Sequence, residues 1–166
     1  MSHHEHEEKS RKSLKVGVLT LSDTRSKAED ISGKIICDLL TADGHSVVMY
    51  ELIKEDPELI EKTLKSMLSE NIDSIITNGG TGLTARDGTI EISRKLTQKD
   101  LPGFGELFRL LSFQQIGPAA ILSRASAGVA SGKALICLPG SSKAVRLAMK
   151  RIILPQLCHI VWEANR

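Results

Sequence analysis

The stretch Asp73-Ser74-Ile75-Ile76-Thr77-Asn78-Gly79-Gly80-Thr81-Gly82-Leu83-Thr84-Ala85-Arg86-Asp87-Gly88-Thr89 decides the fold. A short β-branched apolar run ends in three glycines within four positions, and a helical pattern begins at about Thr89. That is a buried strand, a tight turn and a helix in immediate succession. The unit recurs in both directions. Upstream, KVGVLTL (15–21) reads as a buried strand, followed by Asp30 as a cap and Ile31, Ile35, Ile36, Leu39 and Leu40 at helical spacing up to Asp43-Gly44. SVVMYEL (46–52) is a second strand, and Asp56-Pro57 opens a helix with the stripe Leu59, Ile60, Leu64, Met67 and Leu68. Downstream, the spacing predicts a turn at Leu101-Pro102-Gly103, a helical stretch to about Gln115, and strands at AAIL (119–122) and ALICL (134–138). A helix from Ser141 to Trp162, broken at Pro155, closes the chain. Alternating strands and helices imply an α/β fold with a mainly parallel sheet covered by helices on both faces. Ligands of such sheets bind just beyond the carboxyl ends of the strands, which directs attention to the loops after residues 21, 77, 122 and 138.

The 166 residues suit one domain, with 1–13 a polar, disordered leader and 14–166 the folded part. A net charge of +2 argues against a dedicated nucleic-acid binder. No apolar run approaches the ~18 residues of a membrane span, and no secretory leader is evident, so a soluble protein acting in the cytoplasm is expected. Cys37, Cys137 and Cys158 lack ligand or redox spacing; the first two read as small core residues, and reduced thiols fit that compartment. The charge is uneven: residues 1–83 hold 10 basic and 15 acidic side chains, 84–166 hold 12 and 5. A basic half on a near-neutral chain suits an anionic ligand as well as a solvated face.

Three loops carry the chemistry. In Gly79-Gly80-Thr81-Gly82 the backbone can approach a ligand and aim N–H groups at an anion, with Thr81 and Thr84 adding hydroxyls. The loop matches neither the phosphate-loop pattern ending in lysine nor the dinucleotide fingerprint. The pair Arg86-Asp87 follows; a carboxylate beside a phosphate cradle calls for a bridging cation such as Mg²⁺, whereas Asp87 alone reads as a helix cap. Leu138-Pro139-Gly140-Ser141-Ser142-Lys143 opens the last helix, either as a serine-capped terminus or as an anion site completed by Lys143. Ser22-Asp23-Thr24-Arg25-Ser26 is chemically similar. Leu101-Pro102-Gly103-Phe104-Gly105 is a turn or a stacking platform, and Arg124 pairs with a phosphate or with an acidic side chain. The bulk between Leu107 and Phe113 exceeds one helix face, so Phe108, Leu111 and Phe113 belong to the core or to a subunit interface. No Ser-His-Asp set or metal-ligand spacing is present, which leaves phosphate chemistry without a covalent intermediate.

Taken in order, VGVLTLSD, IITNGGTGLTARDGT, LPGFGELFRLLSF, ILSRASAGV and LPGSSKAVR resemble the MoaB/MogA family of molybdenum cofactor biosynthesis proteins over residues 14–160. Phe108 to Gly117 looks closer to the MoaB branch. The resemblance implies a three-layer α/β/α sandwich, the molybdopterin-binding fold, assembled as a homotrimer or homohexamer. It implies molybdopterin and ATP as substrates, Mg²⁺ as cofactor, and transfer of AMP to the molybdopterin phosphate with release of pyrophosphate. A non-catalytic molybdopterin carrier is the alternative. By the same likeness Asp87 is catalytic and holds the metal, Gly79, Gly80, Thr81 and Gly82 cradle the nucleotide phosphates, and Ser22, Asp23, Gly140, Ser141 and Ser142 lie near the pterin and its phosphate. Active members carry a second aspartate before the second helix; here that place falls on Glu55, with Asp56 beside it.

Overall fold

The structure is a computed structural model and describes residues 13–166; the predicted leader, apart from its last residue, lies outside the described residues. Six strands form one sheet: β1 (Lys15–Leu21), β2 (Ser46–Ile53), β3 (Ser74–Asn78), β4 (Lys99–Asp100), β5 (Ser126–Ala130) and β6 (Lys133–Leu138). Their order is β2-β1-β3-β6-β5-β4, parallel from β2 through β6 and antiparallel for β5 and β4. β1 and β3 are buried almost end to end, which is why they read as continuous apolar runs instead of alternating ones.

Two cores flank the sheet. On one face Val16, Val18, Ile76, Ile136 and Leu138 pack against α1 (Ile31–Ala42), α4 (Pro102–Ile116), α5 (Ser142–Ala148) and α6 (Leu154–Ala164). On the other, Leu19, Leu21, Ile75 and Leu135 meet Ile60, Leu64 and Met67 of α2 (Pro57–Ser69) and Ile92 of α3 (Thr89–Leu96). The period of two along each strand sorts neighbours such as Val18 and Leu19 to opposite layers. The result is the three-layer α/β/α sandwich anticipated above. Local caps also follow the sequence: Asp30 Oδ1 accepts from the Gly33 amide (2.9 Å), and Asp56 Oδ1 from the Leu59 amide (2.8 Å) with Pro57 in the first turn of α2.

Four expectations are corrected. AAIL (119–122) is not a strand; it lies in a 3₁₀ segment, Gly117–Leu122, and the next strand is β5, which begins four residues after Leu122. Gly117 at φ 63 ends α4, and Pro118 pre-sets the tighter turn, so the apolar letters fall on a 3₁₀ turn that buries only Ala120. Ala127, Gly128 and Ala130 in β5 are too small to announce a strand by bulk. Leu101-Pro102-Gly103 is not a separate turn but the start of α4, with Pro102 where a missing N–H is harmless. The last helix is not broken at Pro155 but widened ahead of it into a π turn, Met149–Ile153, where the Leu154 amide reaches back to Met149 O. Cys37 is half-buried instead of core, while Cys137 is fully buried.

Candidate functional site

β1, β3 and β6 end side by side, and the loops they feed enclose a cleft of about 480 Å³ lined by Ser22, Asp23, Thr24, Arg25, Glu55, Gly79, Gly80, Thr81, Gly82, Arg86, Asp87 and Gly140, together with Leu21. A second hollow of about 430 Å³ adjoins it, sharing Asp23, Glu55 and Arg86 and adding Lys54 and Asp56.

The floor is backbone. Gly79 has φ 99 and Gly80 φ 62, a region that costs an ordinary residue roughly 1–2 kcal/mol. A Cβ on Gly79 would strike the Leu21 carbonyl oxygen, and one on Gly80 the Thr89 hydroxyl. The chain therefore crosses tightly between β1 and α3 only as glycine. The Gly79 amide is spent on Leu138 O (3.0 Å), while the amides of Gly80 and Thr81 meet no protein acceptor among the described residues. Thr89 ties the loop down, its hydroxyl donating to Gly79 O (3.1 Å) and its amide to Gly80 O (3.1 Å).

Asp87 does not cap α3; the capping position is Gly88. Its carboxylate turns back into the loop, where Oδ2 accepts from the Thr84 amide (2.9 Å) and hydroxyl (2.6 Å). Burial opposes its ionisation, but the Thr84 and Gly82 hydrogen bonds and the charge of Arg124 outweigh it and hold Asp87 below the usual carboxylate range. Arg124 pairs with Glu91 and donates to Gly82 O (3.1 Å), so the acidic side chain is its partner here.

Asp23 bridges two elements: Oδ1 accepts from the Glu55 amide (3.0 Å) and Oδ2 from Arg86 (2.5 Å). Glu55 stands in the main cleft, where burial first, then Asp23 and Asp87, push its carboxyl up against the pull of Arg86 and Arg25. Asp56 is occupied as the cap of α2 and faces only the second hollow. Gly140 lines the cleft, but Ser141 caps α5 through the Ala144 amide (3.5 Å), and neither it nor Ser142 forms part of the wall. The structure thus gathers Ser22, Asp23, Glu55, Asp87 and the glycines with Gly140, and leaves Asp56, Ser141 and Ser142 at the margin.

Behind the cleft lies a polar cluster that the sequence did not announce: Thr20, Asp30, Ser32 and Asn78, all at 0 % exposure, with the Tyr50 hydroxyl on Asp30 (2.7 Å). Asn78 precedes the glycines and Ser32 is a helix residue; a buried polar residue inside an apolar strand was the one available signal. No group of three His, Cys, Asp or Glu side chains has the geometry of a complete metal site among the described residues. The carboxylates of Asp87 and Glu55 beside free amides instead fit a hard divalent ion held jointly by protein and by ligand phosphates.

An α/β sandwich with a glycine-floored anion cleft at its strand ends is the class of protein defined here, and comparison narrows it. Residues 17–159 match the family described as "Probable molybdopterin binding domain". The molybdenum cofactor biosynthesis protein B of Halalkalibacterium halodurans is 49% identical over 165 residues, 98% of this chain and 97% of the relative. A crystal structure of a molybdenum cofactor biosynthesis protein B superposes with TM-score 0.90 at 44% identity, over 93% of this chain and 98% of that one. The tungsten cofactor synthesizing protein MoaB from Pyrococcus furiosus gives TM-score 0.86 at 36% identity, over 93% and 99%. The chain belongs to the molybdenum cofactor biosynthesis protein B (MoaB) family.

Proposed function

We propose that this chain is a molybdopterin adenylyltransferase that uses ATP and Mg²⁺. The observation that carries the reading is the pairing, in one cleft, of unpartnered backbone donors at Gly80 and Thr81 with the anionic Asp87 and Glu55. Donors alone would suit any anion; carboxylates beside them require a cation to arrive with it.

The reaction joins an oxygen of the molybdopterin phosphate to the α-phosphorus of ATP, and the bond from that phosphorus to the β-phosphate oxygen breaks as pyrophosphate leaves. Bound Mg²⁺ neutralises charge between the two polyanions. The Gly80–Gly82 backbone seats the nucleotide phosphates, and Asp87, held ionised by Thr84, is the fixed ligand for the metal. Glu55 supplies the second carboxylate from the opposite wall, its main chain anchored by Asp23. No side chain needs to act as nucleophile, because positioning and charge neutralisation carry this chemistry.

The family membership and an exposed apolar row support a trimer or hexamer. α4 has two apolar stripes: Phe104 and Phe108 enter the core, stacked 6.4 Å apart, while Leu107, Leu110, Phe113 and Ile116 face outward beside Ile121 and Leu122. Phe108 is therefore a core residue and Phe113 the interface candidate. No helix is long and apolar enough to cross a membrane among the described residues.

A second reading, a molybdopterin carrier without transferase activity, is favoured by Glu55, a longer carboxylate at the position where the resemblance implies an aspartate. Purified protein with molybdopterin, ATP and Mg²⁺ should yield adenylylated pterin and pyrophosphate. Pterin binding without either product makes it the carrier.

A further inference from the structure

Two arginines line the main cleft, and they are held differently. Arg86 is neutralised by Asp23, whereas Arg25 has only neutral oxygens as partners among the described residues: Ser32 Oγ (3.1 Å) and Gly140 O (3.5 Å). No carboxylate is hydrogen-bonded to it among the described residues, and it lines the same cleft as the glycine floor. From Arg25 a chain of hydrogen bonds runs inward. Ser32 Oγ is 2.8 Å from Asn78 Oδ1, Asn78 Nδ2 is 2.8 Å from Thr20 Oγ1, and Thr20 bonds the Asp30 carboxylate, which also accepts from Tyr50 and the Gly33 amide.

The short links favour one direction along that chain, with Ser32 Oγ also 3.3 Å from Asp30 Oδ1. An ionised carboxylate only accepts, so Thr20 must donate to Asp30 and therefore accept from the Asn78 amide nitrogen. The Asn78 oxygen then faces outward and accepts from Ser32, whose remaining lone pairs receive the Arg25 guanidinium. Flipping Asn78 would leave Ser32 to bond Asp30 directly over the longer 3.3 Å and would take from Asp30 its bond from Thr20, so the shorter links favour the first direction.

Building on the phosphate-binding reading above, we propose that Arg25 is the cation that contacts a ligand phosphate seated on the Gly79–Gly82 loop, and that Asp30, through Ser32 both directly and by way of Thr20 and Asn78, is the positioning residue that aims it.

The test uses the full chain with two probes, Mg·ATP and magnesium tripolyphosphate, titrated by calorimetry. Arg25 is exposed, so Arg25→Gln leaves the fold intact; it should bind both probes about tenfold more weakly, the usual worth of a hydrogen bond to a charged group. Asp30→Asn should bind about fivefold more weakly. The double variant should match Arg25→Gln alone, because a positioning residue has nothing left to aim; a purely structural role would multiply the two losses. If Asp30→Asn does not fold, Ser32→Ala replaces it with the same expectation. Wild-type binding with Arg25→Gln within twofold of it, or multiplying losses, overturns this inference and spares the functional reading. A wild type that binds neither probe overturns both.

Discussion

Replacing Asp87 by asparagine separates the chemistry of the site from its architecture. The carboxylate accepts twice from Thr84 through Oδ2, at 2.9 Å from the amide and 2.6 Å from the hydroxyl. An asparagine oxygen can keep the bond from the Thr84 amide, so the loss is the charge-assisted part of two partly solvated bonds, about 1 kcal/mol. For a chain of 166 residues that lowers Tm by ~2–4 °C. The catalytic loss should be far larger. Removing one preorganised electrostatic group from a transition state commonly costs ~10²–10³ in kcat, or about 3–4 kcal/mol. The assay is pyrophosphate release with molybdopterin, ATP and Mg²⁺, read beside a melting curve. A drop of at least 100-fold with Tm within a few degrees is expected. Turnover within tenfold of wild type refutes the role of Asp87, and a collapse of Tm shows that the carboxylate serves the loop rather than the reaction.

Glu55→Gln should raise Tm at neutral pH and leave it unchanged near pH 4. The folded protein lifts the Glu55 pKa above its ordinary 4.5, so from there upward the native state retains a proton the unfolded chain has lost and stability falls as pH rises through that window; a Tm gain that persists at pH 4 contradicts it. For the same reason Mg²⁺ should stabilise the wild type more at pH 7 than at pH 4, measured by thermal shift. Gly80→Ala puts a side chain at φ 62 and against Thr89; it should cost about 1–2 kcal/mol and weaken Mg·ATP binding beyond detection by calorimetry, and intact binding would remove the loop from the site. Leu110→Glu with Phe113→Glu places charge on the exposed stripe of α4 and should yield monomers by light scattering without loss of Tm in the monomer's own transition; an unchanged mass would locate any interface elsewhere.

The sheet was legible where burial is two-sided or caps are explicit. KVGVLTL could only be a central strand, and Asp56-Pro57 could only begin a helix, because each pattern has one cheap backbone solution. β5 was illegible for the opposite reason: Ser126, Ala127 and Gly128 carry no period, and their pairing with β6 is a tertiary fact set by register with Cys137, Ile136 and Leu135. The same limit applies at the site. Three glycines in four positions announce a close approach whatever the surroundings. Ser141 and Ser142, by contrast, read equally as cleft wall or as helix start, and the structure makes Ser141 the cap and Ser142 the first residue of α5. Likewise Glu55 and Asp56 are adjacent letters, and only the geometry of α2 sends one into the cleft and binds the other to the Leu59 amide.

The charges of the cleft explain why its ligands should arrive together. Asp23, Glu55 and Asp87 face Arg25 and Arg86, and Asp23 already consumes Arg86. What remains is two carboxylates and one guanidinium, a balance that repels a bare polyphosphate and equally discourages a bare cation close to Arg25. On the proposed reading a metal–phosphate complex would satisfy both: the cation would take Asp87 and Glu55, and the phosphates the Gly80 and Thr81 amides and Arg25. Burial first, and then Asp23 and Asp87, raise the Glu55 carboxyl, and a divalent ion bound beside it would pull it down. A buried hydrogen-bond network anchored on Asp30 then makes sense beside these charges. It fixes the one guanidinium that no carboxylate holds, so that the cleft is oriented before the anion enters it.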